Sequence, residues 1–107
     1  MNQVKIKNVI QEYSQGLRKI FGDQLLDVLL YGSFARGEGR EDSDIDIVCV
    51  LRSPFDYNEA MQRSSQLTAN LSLENDVVLS RVFASEEELR TRNLPLFMNI
   101  RSESVPA

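Results

Sequence analysis

Histidine is absent from this 107-residue chain. That excludes a histidine general base, a Ser-His-Asp triad and any His-ligated zinc site. Cysteine occurs once, at Cys49, so no disulfide can close within the chain. Basic residues are in the minority, 12 Lys and Arg against 16 Asp and Glu, for a formal net charge of −4. A nonspecific nucleic-acid binder needs the opposite balance, so direct nucleic-acid binding is not expected. No apolar run reaches membrane-spanning length. The polar-amphipathic stretch from Met1 to Ile10 lacks the apolar centre of a signal peptide, so a cytoplasmic protein is expected. Repeats, low-complexity segments and linkers are also missing, which leaves one domain over residues 1–107 with one modest core. Any chemistry has to come from carboxylates, hydroxyls, amines and metal.

What is present is the balance of a folding chain: 42% hydrophobic and 26% charged residues. Val4, Ile6, Val9, Ile10, Tyr13, Leu17, Ile20 and Phe21 recur at helical spacing, and Gly22 is a natural stop. Leu25 to Tyr31 is an apolar run of strand length ended by Gly32-Ser33. Phe34 to Ser43, rich in glycine and charge, reads as a short helical turn plus a loop. Ile45 to Leu51 is β-rich and Pro54 breaks it. Tyr57, Ala60, Met61, Ser64, Leu67, Thr68 and Leu71 trace a second helical face. Val77 to Phe83 predicts a third strand, and Ser85 with Glu88 a capping box for a short helix. Leu94 to Arg101 predicts a last helix before a polar tail. The order α-β-turn-β-α-β-α-α suggests an α/β (α+β) fold, a small mixed sheet of three to four strands covered by helices. Roughly a dozen residues join the first two strands, too many for a tight hairpin and few for a crossover helix, so their direction stays open.

The informative block is Gly32-Ser33-Phe34-Ala35-Arg36-Gly37, closing with Ser43-Asp44-Ile45-Asp46. Strand side chains alternate, so Asp44 and Asp46 point to one face. Two carboxylates at the entry to an apolar strand repel each other and lose hydration, and a divalent cation removes that penalty. Magnesium takes one or two carboxylates together with substrate phosphates and water, which suits the pair. Gly32 lets backbone approach a ligand, free N–H groups at a helix start bind anions, and Ser33 adds a hydroxyl. A third carboxylate, Asp76, opens the third predicted strand. It could bridge a metal and activate an attacking hydroxyl, with Glu74 as its rival.

Taken alone, Gly32-Ser33 is a strand-ending turn and Asp46 an edge charge. Together, Gly-Ser, ten residues and Asp-x-Asp match by chance in roughly one chain in a thousand. This pattern resembles the signature of the polymerase-β-type nucleotidyltransferase superfamily. The version with Phe-Ala-Arg-Gly and Ser-Asp-Ile-Asp is most similar to the minimal nucleotidyltransferases, which include the antitoxin of the HEPN/MNT toxin–antitoxin pair.

The resemblance implies a nucleotidyltransferase fold and magnesium-dependent transfer of a nucleoside monophosphate, AMP from ATP, with release of pyrophosphate. Gly32 and Ser33 would bind the triphosphate. Asp44, Asp46 and Asp76 would be the metal-binding and catalytic carboxylates, with Asp76 the candidate base. Arg36 would orient phosphates or tie the turn down. In the antitoxin reading the acceptor is a tyrosine hydroxyl of a HEPN ribonuclease toxin, AMPylated and so blocked, within a toxin–antitoxin hetero-oligomer. The alternatives are a noncatalytic antitoxin that neutralises by binding, and an enzyme with a small-molecule or RNA acceptor. The chain lacks the extra helical domain with which larger members hold a small acceptor, which favours an acceptor on a partner protein. Cys49, Met61, Met98, Phe97 and Tyr57 are expected in packing roles. An exposed Leu94 or Phe97 would instead point to a partner surface.

Overall fold

The computed structural model describes residues 3–40 and 42–107. The first helix, α1 (Gln3–Phe21), buries Ile6, Val9, Ile10, Tyr13, Leu17 and Phe21, one stripe at helical spacing. Val4, expected on that stripe, is exposed, because the first turn of α1 reaches beyond the core. At Gly22 the chain turns left-handed (φ 57°) and ends the helix, as expected.

The strands β1 (Leu25–Tyr31) and β2 (Ile45–Leu51) have the predicted bounds. They pair antiparallel, which settles the direction that connection length left open. Helix α2 (Tyr57–Asn75) starts at Asp56, whose side chain accepts from the Glu59 N–H at 3.1 Å. Strand β3 is Leu79–Ser85, two residues later than the predicted Val77–Phe83, and it pairs parallel with β2. The delay has a local cause. Asp76 caps α2 with a left-handed backbone (φ 52°) and the Val77 N–H donates to Ser72 O at 3.0 Å, so both residues serve the helix terminus. Ser85 and Glu88 form the expected capping box of α3 (Glu86–Thr91).

Helix α4 (Pro95–Glu103) runs two residues past the prediction. The expected polar tail is a strand, β4 (Val105–Pro106), antiparallel to β1. Among the described residues the sheet is thus mixed and four-stranded, in the order β3-β2-β1-β4.

Alternation along β2 divides the core. Ile45, Ile47, Cys49 and Leu51 pack with α1 and α2. Val48 and Val50 pack with Ala84 and with Phe97 and Ile100 of α4. Cys49, Met61 and Phe97 therefore hold the packing roles expected of them, whereas Tyr57 and Met98 are exposed about 46% and 50%. Two polar contacts join the α1–α2 layer. The Tyr13 hydroxyl meets Thr68 Oγ1 at 2.8 Å, and Arg81 Nε donates to Ser64 Oγ at 2.7 Å. No helix among the described residues is long and apolar enough to cross a membrane.

Candidate active site

Asp46 is the second residue of β2 and lies opposite Tyr31, the last of β1. Alternation puts its side chain on the face of Val48 and Val50, at the end of the sheet where those apolar residues give out. Asp44 lies just outside the strand and is exposed. The two carboxylates sense each other. Burial raises the Asp46 pKa above the ordinary carboxylate value, the Asp44 charge raises it further, and Arg36 opposes the shift. Burial and the Asp46 charge likewise raise the Tyr31 phenol.

Gly32 has φ 76°, and a Cβ built on it would strike Asp46 Oδ2. The Asp46 carboxylate therefore lies directly on the Gly32 backbone, as the shared pocket of Gly-Ser and Asp-x-Asp requires. The segment after Gly32 is the expected short turn followed by a loop, and no helix grows from it. The Arg36 N–H donates to Gly32 O (3.2 Å), Gly37 N–H to Phe34 O (3.3 Å) and Glu38 N–H to Ser33 O (2.8 Å). The N–H groups of Ser33, Phe34 and Ala35 donate to no backbone acceptor among the described residues. Successive open amides beside a left-handed residue form an anion-binding concavity without any helix dipole.

Arg36 extends from this turn to Glu103 of α4, Nη1 to Oε2 at 3.0 Å, with Glu38 at 3.4 Å. The pair with Glu103 is consistent with a tie of the turn to α4, one of the two roles left open for Arg36. Asp76 is exposed at the C-cap of α2. It lies at the same end of the sheet as Asp44, since Val78 O, two residues on, accepts the Ile45 N–H at 2.9 Å. Among the described residues no three acidic or other metal-ligating side chains are gathered in one group. The structure thus brings Asp46 onto Gly32, with Asp44 acting on Asp46, Ser33 and Arg36 in the adjoining turn and Asp76 at the same end of the sheet. Glu74 is exposed within the last turn of α2.

The pattern of the nucleotidyltransferase domain family matches residues 10–102, most of the chain and all of this site. The chain belongs to the nucleotidyltransferase domain family. It is 34% identical over 87 residues to a Methanocaldococcus jannaschii protein named "Putative protein adenylyltransferase MJ0604", covering 81% of this chain and 78% of that protein. It is 29% identical over 75 residues to "Protein adenylyltransferase MntA" of Thermococcus cleftensis, covering 70% and 74%. A crystal structure described as a toxin–antitoxin with AMP-PNP superposes with TM-score 0.60 at 23% identity, over 99% of this chain and 72% of that one. A minimal nucleotidyltransferase structure superposes with TM-score 0.61 at 22% identity, over 95% of each. These two likenesses establish the nucleotidyltransferase fold.

Two residues of this nucleotidyltransferase site escaped the sequence reading. Tyr31 and Ser80 are the register partners of Asp46 on its two sides, and partners share a face. Tyr31 was legible in principle, as the residue that ends β1 beside the motif. Ser80 was not, because a strand predicted two residues early leaves the pairing register unassigned.

Proposed function

We propose that the chain is a cytoplasmic, magnesium-dependent protein adenylyltransferase that moves AMP from ATP onto a tyrosine hydroxyl of a HEPN ribonuclease toxin and so acts as its antitoxin. One observation carries the reading: Asp46, which feels the Asp44 charge, lies against Gly32 beside three open amides. The names of the relatives support adenylyl transfer, and the AMP-PNP in a superposing structure supports ATP.

The residues fit a magnesium ion. Their donors are carboxylate oxygens, and their mutual charge, which lifts the Asp46 pKa, is the penalty a cation would relieve. Asp44 and Asp46 would hold it, and bound there it supplies charge neutralisation at the α-phosphate. The amides of Ser33, Phe34 and Ala35 and the Ser33 hydroxyl hold the β- and γ-phosphates. The acceptor oxygen attacks the α-phosphorus, a new P–O bond forms, the bond to the bridging oxygen breaks and pyrophosphate leaves. The acceptor proton goes to a carboxylate, for which Asp76, exposed at the same end of the sheet, is the candidate. The added AMP places bulk and negative charge on the toxin and blocks RNA cleavage.

The test is labelled ATP with magnesium, this protein and its cognate toxin. Label should appear on the toxin and disappear with Asp44→Ala plus Asp46→Ala. A wild type no better than that variant overturns the reading. A second reading is neutralisation by binding alone. It predicts that the double variant still silences the toxin.

A further inference from the structure

Helix α1 carries two parallel stripes. Ile6, Ile10, Tyr13 and Leu17 face the core, and beside them run Lys7, Gln11, Ser14 and Arg18, spaced four, three and four residues apart. A cavity of about 670 Å³ opens along this boundary, closed on its other sides by Leu30, by Phe34 and the glycines of the turn, and by the end of β4. That volume is in the range of small-molecule sites. Asp44 and Asp46 do not line it, so it is separate from the proposed transfer site and does not rest on it.

Its charge runs against the rest of the molecule. The chain carries 16 acidic residues, yet none of the described lining residues is Asp or Glu. Lys7 and Arg18 both line it, and neither forms an ion pair among the described residues. They stand roughly 16 Å apart along the helix axis. Between them Ser14 Oγ is buried without a hydrogen-bond partner, the one such side-chain atom among the described residues. That oxygen has no accessible surface, so it lies behind the cavity wall and takes no part in binding. The opposite wall is apolar, with Ile6, Ile10, Leu30 and Phe34.

We propose that this cavity is a second binding site, for an elongated amphipathic anion. The apolar body lies along Ile6, Ile10, Leu30 and Phe34, and the acid group sits at one end of it, on Lys7 or on Arg18. Phe34 follows Ser33 directly, so the ligand would rest against the turn that carries the open amides.

The experiment is an amide NMR titration of the full chain with decanoate and, separately, with decyltrimethylammonium, each below its micelle concentration. The two probes share a chain length and differ in the sign of the head. Decanoate should shift the Gly37 and Gly39 amides saturably, and bind roughly fivefold or more tighter than the cation. The double variant Lys7→Gln plus Arg18→Gln changes only exposed side chains, and an unchanged melting temperature would confirm its fold. It should lose the preference for decanoate. Equal affinity for the two probes in the wild type, no saturable shift at Gly37 and Gly39, or a preference surviving in the double variant would each overturn the proposal.

Discussion

The Asp46 carboxylate packs on the Cα of Gly32, so closely that the Cβ of any other residue at 32 would collide with Oδ2. Gly32 also holds φ 76°, a backbone that L side chains resist. Gly32→Ala should therefore cost about 1–3 kcal/mol of folding stability in urea denaturation. Part of that cost should vanish when Asp46→Ala is added, since the collision goes and the backbone strain stays. Strict additivity of the two substitutions would mean that residues 32 and 46 are not in contact.

A second prediction comes from the raised pKa of Asp46. Its folded-state pKa exceeds the unfolded value, so the folded protein holds this proton more tightly. Stability from this group is complete below the ordinary carboxylate pKa and falls as pH rises through the folded value. At neutral pH the charged group therefore costs stability, a cost that its partial exposure keeps small. Without divalent cations, Asp46→Asn should melt slightly above wild type at pH 7, and the gap should close near pH 3.5. Magnesium should raise the wild-type melting temperature and leave the variant unmoved. A variant less stable than wild type at pH 7 in EDTA would refute the assignment.

Legibility in the sequence followed the strength of local pattern. β1 and β2 are apolar runs bounded by glycine, charge and proline, and their limits were readable to the residue. The Gly32–Asp46 contact was not readable, because it depends on the antiparallel pairing of β1 and β2, which the length of their connection left open. β4 is two residues long, one of them Pro106, and has no period to detect. Its pairing with Leu29 and Leu30 exists only once α4 has brought the chain back. The start of β3 was misjudged because Val77 and Val78 are β-branched, whereas the left-handed cap at Asp76 assigns Val77 to the helix end. Leu94 is exposed (51%), the outcome expected of a partner surface, and α4 buries Phe97 and Ile100 while leaving Met98 outside (50%).

Asp76 has two possible duties that one substitution separates. Asn tolerates the left-handed region as well as Asp does, so Asp76→Asn keeps the helix cap and removes the charge. Stability should change by less than about 0.5 kcal/mol. If Asp76 is the base, kcat for AMP transfer should fall by roughly a hundredfold or more with little change in the KM for ATP. Unchanged kcat would confine Asp76 to capping α2.

Arg36 bonds Glu103 across from the motif turn to α4, and both side chains are partly exposed. Such a pair contributes at most about 1 kcal/mol, so Arg36→Ala and Glu103→Ala should each be mild in thermal melts. Kinetics distinguishes a tie from a phosphate contact. If the guanidinium meets only Glu103, both variants should affect the KM for ATP alike. If it turns to the triphosphate during the reaction, Arg36→Ala should raise that KM while Glu103→Ala, which frees the cation, should not. Direct comparison of the two KM values decides between them.

The last prediction concerns alkaline pH. Burial pushes the Tyr13 phenol up to about 12 from an ordinary 10, against a partly offsetting hydrogen bond with Thr68. Burial also pushes the Cys49 thiol up to about 12 from 9. In both cases the unfolded chain releases the proton first. Folding stability is therefore full below pH 9 and falls as pH rises toward 12, because the folded state holds two protons that the unfolded state has lost. Urea midpoints measured from pH 8 to 11.5 should decline along that range. Tyr13→Phe should cost about 1 kcal/mol at pH 8 through the lost hydrogen bond to Thr68. The same variant should flatten the decline above pH 10, since phenylalanine has no proton to lose. A Cys49→Ala variant should act differently, flattening the curve from pH 9 upward. An alkaline decline unchanged in both variants would show that neither group is held protonated by the core.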